Sequence, residues 1–180
     1  MSFWPHDNCH WMVPGRFLAG GHPGALSESQ THRRLARIVA FGVRHFLDLT
    51  ETHEGVPYDG LLATLTAPPE DPVGYERHPI PDGGPPLSPT HTREILDQLD
   101  QLIGAARVPY LHCWGGAGRT GTIAGCWLVR HGHGGEDALA ALARHRAAMG
   151  EPFCLRQSPE TPAQRAYVLD WARHDRVRPA

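Results

Sequence analysis

Residues 108–122, VPYLHCWGGAGRTGT, carry the side chains in this sequence best placed to do chemistry together. A short apolar run ends in His112 and Cys113. Trp114, Gly115, Gly116, Ala117 and Gly118 follow, then Arg119 and Thr120, and then an apolar segment that reads as a helix. A glycine-rich turn lets backbone N–H groups point into one concavity, which suits a multiply charged anion. The helix that follows presents its positive N-terminus to the same spot. A cysteine on that rim is stabilised as the thiolate, the form that attacks. Arg119 adds a planar fork of donors that meets two phosphate oxygens at once. A phosphate or sulfate anion is therefore expected at the cysteine loop, with a nucleophile aimed at its centre.

The elements that must position these groups follow from the hydrophobic pattern. Residues 16–19, 43–49 and 75–80 read as short strands, and VPYLHC as a buried strand feeding the cysteine loop. Ser27 and Gln30 suggest a capping box for a helix with Leu35, Ile38 and Val39 on one face. Ser88, with Pro89 in the first turn, opens a helix whose apolar stripe is Ile95, Leu99, Leu102, Ile103 and Ala106. TIAGCWLVRHG is apolar nearly all round, as a central helix must be. Further helices are expected at about 136–148 and 160–174, with a short one at LLATL inside the polar stretch 51–74. Alternating strands and helices predict an α/β fold: a mostly parallel sheet of about four or five strands flanked by helices. The cysteine loop would then lie at a strand's C-terminal end, where such sheets bind ligands. The whole chain reads as a single domain, with residues 1–15 an N-terminal extension and 16–175 the catalytic core.

Cys113 and Arg119, separated by five residues and preceded by His112, resemble the signature of the cysteine-dependent protein tyrosine and dual-specificity phosphatases. The resemblance implies a thiolate that attacks phosphorus to form a phosphocysteine. It implies that the N–H groups of Trp114, Gly115, Gly116, Ala117, Gly118 and Arg119, with the Arg119 guanidinium, hold the equatorial oxygens. Thr120 would donate a hydrogen bond to the sulfur, and His112 would sit behind the loop. The family takes its general acid from a mobile loop upstream, and HPIPDGGPP at 78–86 puts Asp82 31 positions before the cysteine. Pro79, Pro81, Pro85 and Pro86 bracket it, and Gly83 and Gly84 can act as hinges. FLAGGHPG, GVRHFLDLT and ETPAQRAYVLDW keep the order found in small dual-specificity phosphatases, and the kinase-associated phosphatase branch is similar over roughly residues 17–171. Within the last segment Gln164 resembles the glutamine that places the hydrolytic water. Asp48, at a strand end, is the competing acid.

Composition narrows the choice of partner. With 180 residues, 41% hydrophobic, and a formal charge of −2, the chain is an ordinary globular domain. Nothing in that balance favours nucleic acid or a membrane surface. All 17 basic residues are arginine, and the cysteine loop's interior is uncharged, whereas lipid-phosphatase relatives carry lysines there. A phosphorylated protein or peptide is the expected substrate, with a highly phosphorylated inositol disfavoured. The cysteines at 9, 113, 126 and 154 form no CxxC pair, so neither a disulfide framework nor a zinc site is expected. No secretory signal is visible at the start, and a reduced cytoplasmic setting is expected. No cofactor or metal is called for.

Other readings of the same residues fit less well. GAGRTG at 116–121 matches the dinucleotide fingerprint GxGxxG, but no acidic residue ends a second strand about 20 positions on. The lysine of a nucleotide P-loop is missing. Sulfurtransferase and arsenate-reductase loops also present a thiolate at a helix N-terminus, yet RTG and Asp82 favour phosphate chemistry. A docking protein with little turnover would ordinarily have lost Cys113, Arg119 or Asp82, and all three are present. His131 and His133 flank a glycine at a helix end and are expected to face solvent, and Cys126 is expected as a small buried hydrophobe.

Overall fold

The computed structural model describes residues 4–65 and 72–175. Five strands form one sheet: β1 (Cys9–Val13), β2 (Phe17–Gly21), β3 (Val43–Asp48), β4 (Gly74–Arg77) and β5 (Val108–Cys113). Their spatial order is β1-β2-β5-β3-β4. β5 runs parallel to both β2 and β3, β4 runs parallel to β3, and only β1 is antiparallel. β5 is therefore the inner strand at which the chain's direction of travel across the sheet reverses. Its carboxyl end opens the crevice that α/β sheets use for ligands.

Among the described residues six α-helices cover the two faces: α1 (Glu28–Ala40), α2 (Asp59–Leu62), α3 (Pro89–Gly104), α4 (Gly118–Arg130), α5 (Gly135–Ala147) and α6 (Pro162–Asp170). Successive side chains of a strand point to opposite faces, so the sheet divides the core in two. Tyr110 joins Leu18, Leu35, Ile38 and Phe46 beneath α1, while Leu111 joins Ile95, Leu99, Ile123 and Leu142 beneath α3, α4 and α5. α4 is buried from Gly118 through Val129, which matches its apolar circumference. Ser27 and Ser88 cap α1 and α3 through their side chains, accepting from Gln30 N at 3.3 Å and His91 N at 3.1 Å.

The structure corrects the sequence reading at several places. The stretch expected as an N-terminal extension contributes to the sheet: residues 9–13 are edge strand β1, and Cys9 and Met12 are buried. The signal was Pro14-Gly15 between two apolar runs, a hairpin connection in which Gly15 takes φ +68°. Ala106 does not extend the α3 stripe, because the helix stops at Gly104 and Ala106 turns left-handed at φ 57°. Leu96 takes its place in the core. The strand expected at 75–80 is β4 and ends at Arg77, and the last helix breaks into a 3-10 turn at Trp171–Arg173. In the stretch 51–74, residues 66–71 lie outside the described residues.

Candidate active site

β5 delivers His112 and Cys113 to the end of the sheet, level with Gly20 and Gly21 of β2. The chain then loops once and enters α4 at Gly118. Gly116 is required twice over: its φ is +71°, and a Cβ there would lie 2.5 Å from Gly21 N. Its N–H donates to Cys113 Sγ at 3.3 Å.

The carbonyls of the loop are all tied outward. Trp114 O accepts from His22 N at 3.0 Å. Gly115 O accepts from Asn8 Nδ2 at 3.3 Å and Arg156 at 3.2 Å. Gly116 O accepts from Arg146 at 3.0 Å, and Ala117 O from Ser158 Oγ at 2.8 Å. In a trans peptide the N–H points opposite to its C=O. Anchoring these four carbonyls therefore turns the N–H groups of Gly115, Gly116, Ala117 and Gly118 to the inner side, where Cys113 Sγ sits. α4 has no side-chain cap, so its first N–H groups are also available to an anion.

Arg119, in the first turn of α4, is 1% exposed. Its guanidinium meets Glu54 with both terminal nitrogens, at 2.5 and 2.7 Å, and donates to Ile80 O at 3.1 Å. Asp82 Oδ1 lies 2.9 Å from the same guanidinium, with its side chain 78% exposed. Nε of Arg119 is buried and has no hydrogen-bond partner among the described residues, which leaves one donor for a bound oxyanion. Arg119 stays fully charged, since the Glu54 bonds, Cys113 and Asp82 outweigh the cost of burial.

Asp82 lies in a turn closed by Gly84 N donating to Pro81 O at 3.2 Å, with Gly83 at φ +73°. The N-terminus of α6 holds that turn: Thr161 Oγ1 donates to Gly83 O and Gln164 Nε2 to Gly84 O, each at 3.1 Å. Gln164 Oε1 accepts from Thr161 N, which completes a capping box. The amide of Gln164 thus bonds backbone on both sides, which ties the N-terminus of α6 to the turn that carries Asp82. It also borders the cysteine loop, since a Cβ on Gly118 would meet it at 3.0 Å. Thr120 departs from expectation. Its hydroxyl donates to Gly20 O at 3.1 Å, the nearby end of β2, and not to the sulfur.

His112 is fully buried behind the loop, with Nε2 2.5 Å from the hydroxyl of Tyr58. Burial pushes its pKa down to about 4, against the pull of Asp48 at 3.8 Å, so it is neutral. His10, 4% exposed and with both ring nitrogens unpartnered among the described residues, is pushed down by burial to about 3. Both groups bind a proton more readily unfolded, near 6.5. Folding stability is therefore complete above about pH 6.5 and falls as the pH drops towards 4, by up to about 1.4 kcal/mol per pH unit for each histidine. Denaturant titrations at pH 7.5 and 5.0 should show a clearly lower midpoint at pH 5.0, and equal midpoints would contradict this assignment.

Asp48 is excluded as the acid. It is fully buried and accepts from Thr50 N (2.9 Å), Thr50 Oγ1 (2.6 Å), Tyr75 (2.8 Å) and Arg77 (3.3 Å). Although burial opposes it, His112 and these hydrogen bonds hold its carboxyl below the usual range, so it has no proton to give near neutrality. Trp114 is 55% exposed and stands as a wall of the pocket, its ring 5.1 Å from that of His22. Cys126 is buried, and burial pushes its thiol well up, away from reactivity. Among the described residues no group of three or more His, Cys, Asp or Glu stands ready to hold a metal ion.

Glu54, Arg146, Asn8 and Ser158 were not foreseen. Glu54 occupies two nitrogens of Arg119 and fixes the plane of the fork, while Arg119 in turn holds the Glu54 carboxyl below its usual range. Replacing Glu54 by Gln should lower kcat/KM by about tenfold, as expected for weakening hydrogen bonds between charged groups. Steady-state kinetics on a phosphate monoester would check it, and an unchanged kcat/KM would show that Ile80 O alone suffices to place the guanidinium.

A cysteine at the carboxyl end of an inner parallel strand, wrapped by inward amides and followed by a buried arginine, is the arrangement of the cysteine-dependent phosphatases. The chain belongs to that class through a specific family: residues 6–168 match the family model described as Swiss Army Knife protein, DSP-PTPase phosphatase domain. Dual specificity protein phosphatase CDC14B of Mus musculus is 31% identical over 127 residues, 68% of this chain and 24% of that protein. Cyclin-dependent kinase inhibitor 3 of Sus scrofa is 40% identical over 52 residues, 29% of this chain and 24% of that protein. The chain thus spans about a quarter of the length of these curated relatives. The crystal structure of Tk-PTP in the active form superposes with a TM-score of 0.70 at 23% identity, over 92% of this chain and 97% of that one, a likeness of fold.

Proposed function

We propose that this chain hydrolyses phosphomonoesters on proteins or peptides, as a phosphotyrosine or dual-specificity phosphatase working through a phosphocysteine. The observation that carries the reading is the outward anchoring of four loop carbonyls, which leaves inward N–H groups around Cys113 Sγ. Such preorganised donors stabilise a transferring phosphoryl group without rearrangement. In the first step the sulfur attacks phosphorus, the P–O bond to the substrate breaks, and Asp82 gives its proton to the departing oxygen. In the second, water attacks phosphorus, Asp82 takes the water's proton, and the S–P bond breaks to restore the thiolate and release inorganic phosphate. Arg119 and the loop amides hold the non-bridging oxygens throughout.

All four cysteines are free. A sulfur that must cycle as a thiolate suits a reducing compartment, and a cytoplasmic setting is proposed on that ground. The test is hydrolysis of p-nitrophenyl phosphate and of phosphotyrosine and phosphothreonine peptides with EDTA present. Turnover that resists EDTA supports the reading, and the ratio of the two peptides assigns the specificity. Absence of turnover on all three would favour a docking role instead.

A further inference from the structure

Several arginines meet a carboxylate, while Arg146, at the cysteine loop, meets only carbonyls among the described residues. Arg77 pairs with Asp48, Arg119 with Glu54 and Asp82, Arg130 with Asp97, Asp100 and Asp175, and Arg156 with Glu160. Three on α1 do not. Arg34 donates to Gly24 O at 2.9 Å and Arg37 to Trp4 O at 3.4 Å, and among the described residues neither forms an ion pair. Arg33, exposed on the same helix, has no hydrogen bond or ion pair at all among the described residues.

These residues line two open clefts on the surface. One, of about 430 Å³, is lined by Arg33, Arg34, Arg37, His6 and Asn8, and by one acid, Asp7. A second, of about 520 Å³, shares Arg33, Arg34 and His22 with the first and adds Trp114, Leu26 and Val56. Both adjoin the cysteine loop physically. Asn8 holds Gly115 O, His22 N holds Trp114 O, and Trp114 is itself the residue after Cys113. A peptide that presents its phosphate to Cys113 therefore has these arginines beside the loop that holds it.

We propose that Arg33 and Arg34, with Arg37 behind them, form a subsite for a second anionic group of the substrate. That group would be an aspartate, a glutamate or a second phosphorylated side chain near the phosphorylated residue of a peptide. The assignment rests on the phosphatase reading above. Guanidinium forks bind carboxylate and phosphate in the same bidentate way, so either chemistry fits. The exposed faces of Leu26, Val56 and Trp114 beside the arginines give the peptide's apolar side chains a place to lie, which a small inositol phosphate would leave uncovered.

The test is a set of phosphotyrosine peptides in which aspartate is moved one position at a time along an alanine background. Wild type should favour aspartate at one position by about tenfold in kcat/KM, the size expected of a hydrogen bond between charged groups. Arg33→Glu should erase or invert that ratio, and Arg33→Ala should reduce it. Because Arg33 has no partner to lose, both variants should melt with the wild type. A flat profile in wild type, or one that persists in Arg33→Glu, would overturn the subsite while p-nitrophenyl phosphate turnover still upheld the phosphatase. Selective loss of activity on a soluble inositol bisphosphate, with peptides unaffected, would overturn the peptide assignment. Failure of wild type to hydrolyse even p-nitrophenyl phosphate would remove both readings together.

Discussion

Cys113→Ser is expected to retain less than about one percent of wild-type turnover, since losing a covalent nucleophile costs several orders of magnitude. A serine hydroxyl at this position would need a base to take its proton. His112, the adjacent residue, cannot serve, because it is buried behind the loop with Nε2 committed to Tyr58. Nor is a positive helix end strong enough to ionise an alcohol as it does a thiol. Phosphate binding should survive, because the anchors on Trp114, Gly115, Gly116 and Ala117 carbonyls do not involve the sulfur. Turnover of p-nitrophenyl phosphate and binding of inorganic phosphate by calorimetry would separate the two effects. Residual activity above a percent would rule out the covalent route. Loss of phosphate binding would mean that the sulfur's contact with Gly116 N, at 3.3 Å, holds the loop in shape.

What the sequence disclosed depends on the range of the interaction concerned. Cys113 and Arg119 are joined by one short loop, so their spacing alone implied a shared anion. Ser27, Ser88 and Thr161 each cap a helix that begins at the next residue, and such local hydrogen bonds are readable from residue type. The proline-glycine run around Asp82 announced a loop, and β5 delivers the cysteine as its buried, apolar character required. Groups that act across the fold left no comparable mark. Glu54 reaches Arg119 from 65 positions away, Asn8 reaches Gly115 from 107, and Thr120 finds Gly20 across 100. Each is an ordinary residue in an ordinary stretch until the sheet order β2-β5-β3 brings it to the site. Gln164 illustrates both limits. Its position three residues after Thr161 spelled a capping box, but that its amide would also seize Gly84 O, 80 positions earlier, followed only from how α6 packs.

Asp82→Asn should lower kcat by about 10²–10⁴ on a phosphothreonine or phosphotyrosine peptide, the range usual for a lost general acid. The size should depend on the leaving group. An alkoxide departs poorly without a proton and should show the upper end. p-Nitrophenolate departs as the anion and should be affected least, so the ratio of the two losses reports proton donation rather than damage to the site. Geometry supports the assignment: Asp82 hangs over Arg119 at 2.9 Å on a turn clamped by Thr161 and Gln164, with its carboxyl open to the pocket mouth. Asparagine keeps the size and one hydrogen-bonding oxygen for Arg119, so the loop should stay in place. A uniform loss across leaving groups would assign Asp82 to holding Arg119 instead. No loss on either would leave the reaction without an acid from the 78–86 loop, and Asp48 could not replace it, because its oxygens already accept four hydrogen bonds in the core.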